Sequence, residues 1–219
     1  MEKSNIQACI FDLDGVIVDT AKYHYLAWKR LANSLGFDFT EEQDEQLKGV
    51  SRIKSLELIL EIGGVSKTEE EILELATKKN EWYLDLIAKM DESEILAGVD
   101  TFLTELKGKG IKIALGSASK NAPVILDKVG LTHFFEAIID GTKTTKGKPH
   151  PQVFLYGAEA LGIAPEHCLV FEDAPKGVEA ALAGGMYCVG VGEEEHLGKA
   201  HKVINGFEGV TTDIFNHLN

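Results

Sequence analysis

Long apolar runs are missing from this 219-residue chain: none approaches the ~20 residues that cross a bilayer. The N-terminal apolar stretch is interrupted by Asp12 and Asp14, so it does not read as a secretory leader. Positive charge is also scarce. With 22 Lys and Arg against 35 Asp and Glu, the net charge of −13 argues against nucleic acid or an anionic membrane as the main partner. There are only three cysteines, Cys9, Cys168 and Cys188, each in an apolar, strand-like stretch. Their spacing suits neither a zinc site nor a disulfide framework, and free buried thiols in a reducing compartment explain them. Biased or repetitive tracts are lacking as well. The expectation is a soluble, cytoplasmic monomer acting on a small molecule. An anionic substrate would need a local positive pocket, which makes the few well-placed Lys and Arg residues informative.

What is present falls into two textures. Short apolar runs at 6–12, 111–117, 137–140, 168–173 and 187–192, with turn residues after them, read as strands. Amphipathic segments at about 99–109, 122–129, 151–161 and 175–183 lie between most of them. Gly130 and the pair Gly184 and Gly185 close the second and fourth, where a left-handed cap favours glycine. Strands alternating with helices predict an α/β fold, a Rossmann-like parallel sheet with helices on both faces. Residues 20–91 interrupt this pattern and are helical throughout. Leu26, Leu31 and Leu35 predict one face of a helix ending at Gly36. Thr40 to Gln43 and Ser66 to Glu69 have capping-box spacing at two further starts, and Gly63 and Gly64 break the stretch between them. Trp28, Trp82 and Tyr83 are expected in the core of this block. The expected organisation is a catalytic core of residues 1–19 and 92–219, with an inserted all-α cap of residues 20–91 hinged at both crossings. Such a lid could exclude water from a site.

In an open parallel sheet, ligands bind beyond the carboxyl ends of the strands. The first apolar run ends in Asp12-Leu13-Asp14-Gly15, with Asp19 shortly after; the second ends in Ser117-Ala118-Ser119-Lys120-Asn121. Lys148 follows the third, and Glu172-Asp173 ends the fourth. Acids gathered on one rim repel each other unless a cation sits among them, and hard oxygen ligands in that number suit Mg2+. Asp12 and Asp173 are the expected direct ligands, with the Asp14 backbone carbonyl also binding and Glu172 close by, direct or through water. Ser117 and Lys148 would hold the oxygens of a transferring phosphoryl group. Asp12 would attack phosphorus, and Asp14 would serve as general acid and base. Asp and Gly after a strand can mean only a turn. The pattern Asp-x-Asp-Gly-x-x-x-Asp arises by chance in about two chains per thousand of this size, and the matching strand ends make the turn reading much weaker.

On these residues the chain resembles the haloacid dehalogenase superfamily of phosphohydrolases and mutases. Phe11 to Gly15 looks like its first motif, Ser117 its second, Lys148-Pro149 its third and Glu172-Asp173 its fourth. Within it the chain looks most like the β-phosphoglucomutase family, through residues 14–24, 47–52, Lys79-Asn80 and 117–121. That family interconverts β-D-glucose 1-phosphate and β-D-glucose 6-phosphate through bound β-glucose 1,6-bisphosphate. The resemblance implies that Arg52, Ser119, Lys120 and Asn121 hold the phosphate that is not transferring, and that Ser117, Ala118 and Lys148 hold the one that is. It further implies Thr20 and His24 at hinge and lid, tying closure to Asp14, with Lys79, Lys48, Gly49 and Val50 lining the sugar. His24, set against Tyr23 and Trp28, could instead be packing, and Arg52 and Lys79 could lie along the cap surface. The loop of residues 141–148 is more basic than the family pattern, which leaves Lys143 and Lys146 as possible perturbers of the third motif. Two rivals stay open. A sugar-phosphate phosphatase shares every core residue but releases phosphate to water, and a non-catalytic phosphosugar-binding protein needs no acid/base at Asp14.

Overall fold

Four residues without a charged side chain, Ala8–Phe11, form strand β1 in a computed structural model that describes residues 5–218. All four are buried, because the strand lies inside the sheet with cover on both faces. Four helices follow: α1 (Ala21–Ser34), α2 (Glu41–Asp44), α3 (Arg52–Ile62) and α4 (Glu69–Ile87). The chain then alternates through α5 (Val99–Gly108), β2 (Lys112–Gly116), α6 (Ala122–Lys128), β3 (Ala137–Ile139) and α7 (Gln152–Leu161). It continues with β4 (Cys168–Glu172), α8 (Pro175–Ala183), β5 (Tyr187–Val191), α9 (Glu194–Leu197) and β6 (Lys202–Ile204). The strand order is β3-β2-β1-β4-β5-β6 and every pairing is parallel. β1 is therefore flanked directly by β2 and β4, the two strands that carry the second and fourth expected motifs.

Alternation along β1 feeds two cores. Cys9 and Phe11 face one, with Phe102 of α5, Leu126 of α6 and Phe171 of β4; Ala8 and Ile10 face the other, with Phe154 of α7 and Val178 of α8. The Phe11 ring stacks on Phe171 at 4.8 Å, and Phe102 meets Phe11 edge-on at 6.3 Å. Each ring so buried stabilises the fold by about 1.5–3 kcal/mol, which pins the end of β1 where Asp12 begins. A third cluster lies among the helices of residues 21–87, with Trp28, Leu31, Phe39, Leu56, Ile59 and Ala76 at its centre.

Details inside that helical block differ from expectation. The buried stripe of α1 is Ala27, Trp28, Leu31 and Ala32, whereas Leu26 is 49% exposed. Five residues separate Leu26 from Leu31, which is about 140° around a helix. The Thr40–Gln43 capping box forms as expected, but the second box is Thr68 with Glu71, two residues later than Ser66 and Glu69. Thr68 Oγ1 accepts from the Glu71 N–H while Glu71 reaches back to the Thr68 N–H, satisfying two end donors at once. Trp82 packs on the helical cluster, but Tyr83 belongs to the sheet-side core with Val16, Ile17 and Val18. Strand β6 was not expected. Its three residues are half-buried at the sheet edge and have no apolar run around them.

The two crossings between the helices and the sheet are tied together. Val18 and Ile95 form an antiparallel bridge, the Asp19 N–H donates to the Glu94 carbonyl at 3.0 Å, and the Leu96 N–H donates to the Ile17 carbonyl at 3.0 Å. The Glu94 carboxylate accepts from Lys22 at 2.6 Å and from the Tyr23 hydroxyl. Among the described residues no helix is long and apolar enough to cross a membrane, and Cys9, Cys168 and Cys188 are free and buried.

Candidate active site

Parallel strands end on one edge, so the residue after each strand shares a rim with the others. Asp12 follows β1, held by its N–H to the Phe171 carbonyl at 3.0 Å; Ser117 follows β2, held by its N–H to the Ile139 carbonyl at 2.9 Å. Lys148 comes from the loop after β3, and its Nζ donates to Asp12 Oδ1 at 2.6 Å and to Glu172 Oε2 at 2.7 Å. Its side chain is 1% exposed. Burial works against the charge of Lys148, yet the carboxylates of Asp12 and Glu172 prevail and hold its pKa above the ordinary lysine value. Burial pushes Glu172 and Asp173 up from the usual carboxylate range, and the charge of Asp12 adds to both shifts.

Asp12, Glu172 and Asp173 each offer an oxygen, all within 4.8 Å of one another. Three carboxylates against one ammonium leave the rim negative, and the donors are hard oxygens, so the group fits a divalent ion such as Mg2+. Glu172 is already engaged at both oxygens, since Oε1 accepts from the Ala174 N–H at 3.2 Å. Gly15 sits at φ +77, and a Cβ there would overlap the Asp173 carboxylate. The glycine of the first motif is thus required twice, by backbone angle and by space.

Asp14 lies one turn further on. The Thr20 hydroxyl donates to Asp14 Oδ1, and His24 Nε2 stands 3.9 Å from the same oxygen. Lys79 Nζ contacts His24 Nδ1 at 3.0 Å, and the imidazole lies against the Tyr83 ring at 4.1 Å, not against Tyr23 and Trp28. Burial, helped by the charge of Asp12, raises the Asp14 pKa to about 6. Burial and the charges of Lys79 and Arg52 hold His24 well below the usual imidazole value. Lys79 is itself brought down to about 7 by burial and by Arg52.

A cavity of about 210 Å³ opens over this rim. The sheet side supplies Asp12, Asp14, Asp173 and the whole run Ser117, Ala118, Ser119, Lys120 and Asn121. That run is pre-shaped, because Ser117 Oγ accepts from the Ser119 N–H at 3.1 Å and Ser119 Oγ from the Asn121 N–H at 3.2 Å. The helical block supplies His24, Arg52 and Lys79 from α1, α3 and α4, and Lys48, Gly49 and Val50 from the turn before α3. Thr20, Lys148 and Glu172 stand behind this wall, buried against residues that do line it. Lys143 and Lys146 are not on the wall, and Lys143 Nζ instead donates to the Ile138 carbonyl. Asp44, Ser55, Asn80, Thr144 and Thr145 line the cavity without having been singled out. Asn80 bridges the two sides directly, its Oδ1 accepting from Asn121 Nδ2 at 2.9 Å. Its place beside Lys79 in the matching stretch was the one signal that could have found it.

A sequence model of the haloacid dehalogenase-like hydrolases matches residues 6–185, and the chain belongs to that family. It is 42% identical over 213 residues to the β-phosphoglucomutase of Bacillus subtilis (strain 168), covering 96% of this chain and 94% of that protein. A crystal structure of β-phosphoglucomutase from Clostridium difficile superposes with a TM-score of 0.94 at 42% identity, covering 97% of this chain and 96% of that one. The phosphorylated carbohydrates phosphatase of Thermotoga maritima is 30% identical over 83% of this chain and 82% of its own length. The chain is accordingly a close homologue of β-phosphoglucomutases within a family that also holds phosphatases.

Proposed function

We propose that the chain is a phosphomutase interconverting β-D-glucose 1-phosphate and β-D-glucose 6-phosphate, through β-glucose 1,6-bisphosphate and an aspartyl-phosphate at Asp12. The observation that supports this reading is that one cavity is lined both by Ser117, with Lys148 paired to Asp12 behind it, and by Arg52, Ser119, Lys120 and Asn121, which is cationic and polar lining enough for two phosphates. A phosphatase needs lining for one. A mutase must hold a substrate with a phosphate at each end and turn it over. The 42% identity to β-phosphoglucomutases supports the same reading.

In this scheme an Asp12 oxygen attacks phosphorus of the bisphosphate, and the P–O bond to the sugar breaks as Asp14, carboxylic acid at that moment, protonates the leaving oxygen. Its pKa of about 6 suits an acid that must also return as base. The β-glucose 6-phosphate so formed leaves, and when β-glucose 1-phosphate binds, Asp14 takes the proton of its 6-hydroxyl as that oxygen attacks the aspartyl-phosphate; the bisphosphate this regenerates turns over to present its other phosphate to Asp12. Ser117, Ala118 and Lys148 hold the transferring oxygens. Asp12, Asp173 and the Asp14 carbonyl, with Glu172 behind, would hold Mg2+, which would supply positive charge to offset that of the phosphoryl group. Residues 20–91 act as a cap on the core of residues 1–19 and 92–219, hinged at Thr20 and near residue 92, and they keep water from the aspartyl-phosphate. Thr20 and His24 couple that closure to Asp14, and Lys48, Gly49, Val50 and Lys79 line the sugar. The protein would work as a cytoplasmic monomer with no nucleic-acid partner.

The test adds Mg2+ and a trace of β-glucose 1,6-bisphosphate, then follows glucose 6-phosphate and free phosphate from α- and β-glucose 1-phosphate. Phosphate appearing as fast as glucose 6-phosphate would overturn the mutase reading in favour of the phosphatase. Asp12→Asn is expected to abolish turnover and leave ligand binding largely intact, and undiminished turnover in that variant would refute the covalent step.

A further inference from the structure

One acid on the cavity wall is used by neither the transfer step nor the metal group. Asp44, the last residue of α2, lines the cavity, as do Trp28, Ser55 and Lys79. Among the described residues no group donates a hydrogen bond to its carboxylate. Lys79 and Lys48 act on it only through space, and Lys48 Nζ is already paired with Glu45 at 2.8 Å. Burial, the largest influence on it, raises its pKa to about 6. A half-buried carboxylate facing a cavity with no protein donor has acceptor capacity to spare.

What could fill that capacity is limited by charge. In the reading above, Ser117 with Lys148 and Arg52 with Ser119, Lys120 and Asn121 hold the two phosphates, and a carboxylate repels phosphate. Its partner must therefore be a neutral donor lying between the two phosphates. On a sugar bisphosphate the only such donors are the ring hydroxyls. We propose that Asp44 accepts hydrogen bonds from hydroxyls of the sugar ring and so sets the hydroxyl pattern this cavity selects. This inference rests on the sugar-phosphate reading above. A site built to pair with a substrate hydroxyl penalises the analogue that lacks it, because a desolvated acceptor is then left empty.

The experiment compares β-glucose 1-phosphate with its 2-deoxy, 3-deoxy and 4-deoxy analogues on the wild type, Asp44→Ala and Asp44→Asn. A hydrogen bond to a charged group predicts that the wild type disfavours at least one analogue by about 10-fold or more in kcat/KM. In Asp44→Ala that ratio should fall to near one, with KM for the parent sugar rising more than kcat falls. Asp44→Asn keeps the shape and a neutral acceptor and should give an intermediate ratio, which also serves if Asp44→Ala folds poorly. Full discrimination retained by both variants overturns the inference, as does a wild type indifferent to all three analogues. If the wild type forms no glucose 6-phosphate but releases phosphate, the mutase reading fails on its own, and the same ratios are then read from phosphate release.

Discussion

Replacing Lys148 by methionine tests the charge arrangement on which the rim depends. The lysine side chain is 1% exposed and bridges Asp12 at 2.6 Å and Glu172 at 2.7 Å, the latter wholly buried. Methionine keeps an unbranched chain of similar length but removes the charge, which also lies 4.9 Å from the centre of the Phe154 ring, leaving two buried carboxylates without their shared partner. Breaking a buried pair in this way costs about 3–5 kcal/mol, because the remaining charge stays desolvated and uncompensated. For a chain of this size that lowers Tm by roughly 6–20 °C. The assay is thermal unfolding in EDTA beside the control Lys54→Met, whose pair with Glu57 at 2.9 Å is exposed and should leave Tm nearly unchanged. Adding Mg2+ should raise Tm more in Lys148→Met than in the wild type, since the ion meets a more negative group. A Lys148→Met protein melting with the wild type in EDTA would refute the view that this lysine balances the rim, and with it the need for a cation there.

Two further perturbations separate roles inside the cavity. If Arg52 holds the phosphate that is not transferring, Arg52→Ala should lower mutase turnover at least ~10-fold while hydrolysis of a small phosphate ester changes far less; equal losses in both assays would remove Arg52 from that role. Lys79 has a folded pKa of about 7 against an ordinary 10.5, so its protonation opposes folding below pH 7 and the penalty fades as pH rises from 7 to 10.5. Lys79→Met should accordingly stabilise the substrate-free protein at pH 6 and lose that advantage towards pH 10, read by urea unfolding at the two values, and an advantage that grew with pH would contradict the assignment.

The sheet was legible because its strands are buried on both faces and read as unbroken apolar runs, so their ends, and the polar residues beyond them, could be located to within a residue or two. β6 escaped because an edge strand of three half-buried residues carries no such run. The cap was legible in kind but not in register: Ser66 and Thr68 both precede an acid by three residues, and only packing decides which one starts the helix. Asp44 was invisible as a site residue for a related reason, and Asn80 was marked only by its place beside Lys79 in the matching stretch. Each reaches the cavity through the way α2 and α4 are set against the sheet, and nothing local in the chain marks a side chain that becomes a wall only after the helices pack.

The position of β1 also bears on how the protein is made. Its neighbours are residues 112–116 and 168–172, so the first strand to leave the ribosome has no partner on one side until about half the chain exists, and none on the other until three quarters does. During that interval Ala8–Phe11 is an unpaired apolar edge, open to wrong pairing. Asp12, directly after it, meets Lys148, Glu172 and Asp173 only once β3 and β4 have been made. A chain stopped anywhere before β4 would thus carry Asp12 to Gly15 intact but none of the acids that gather beside them.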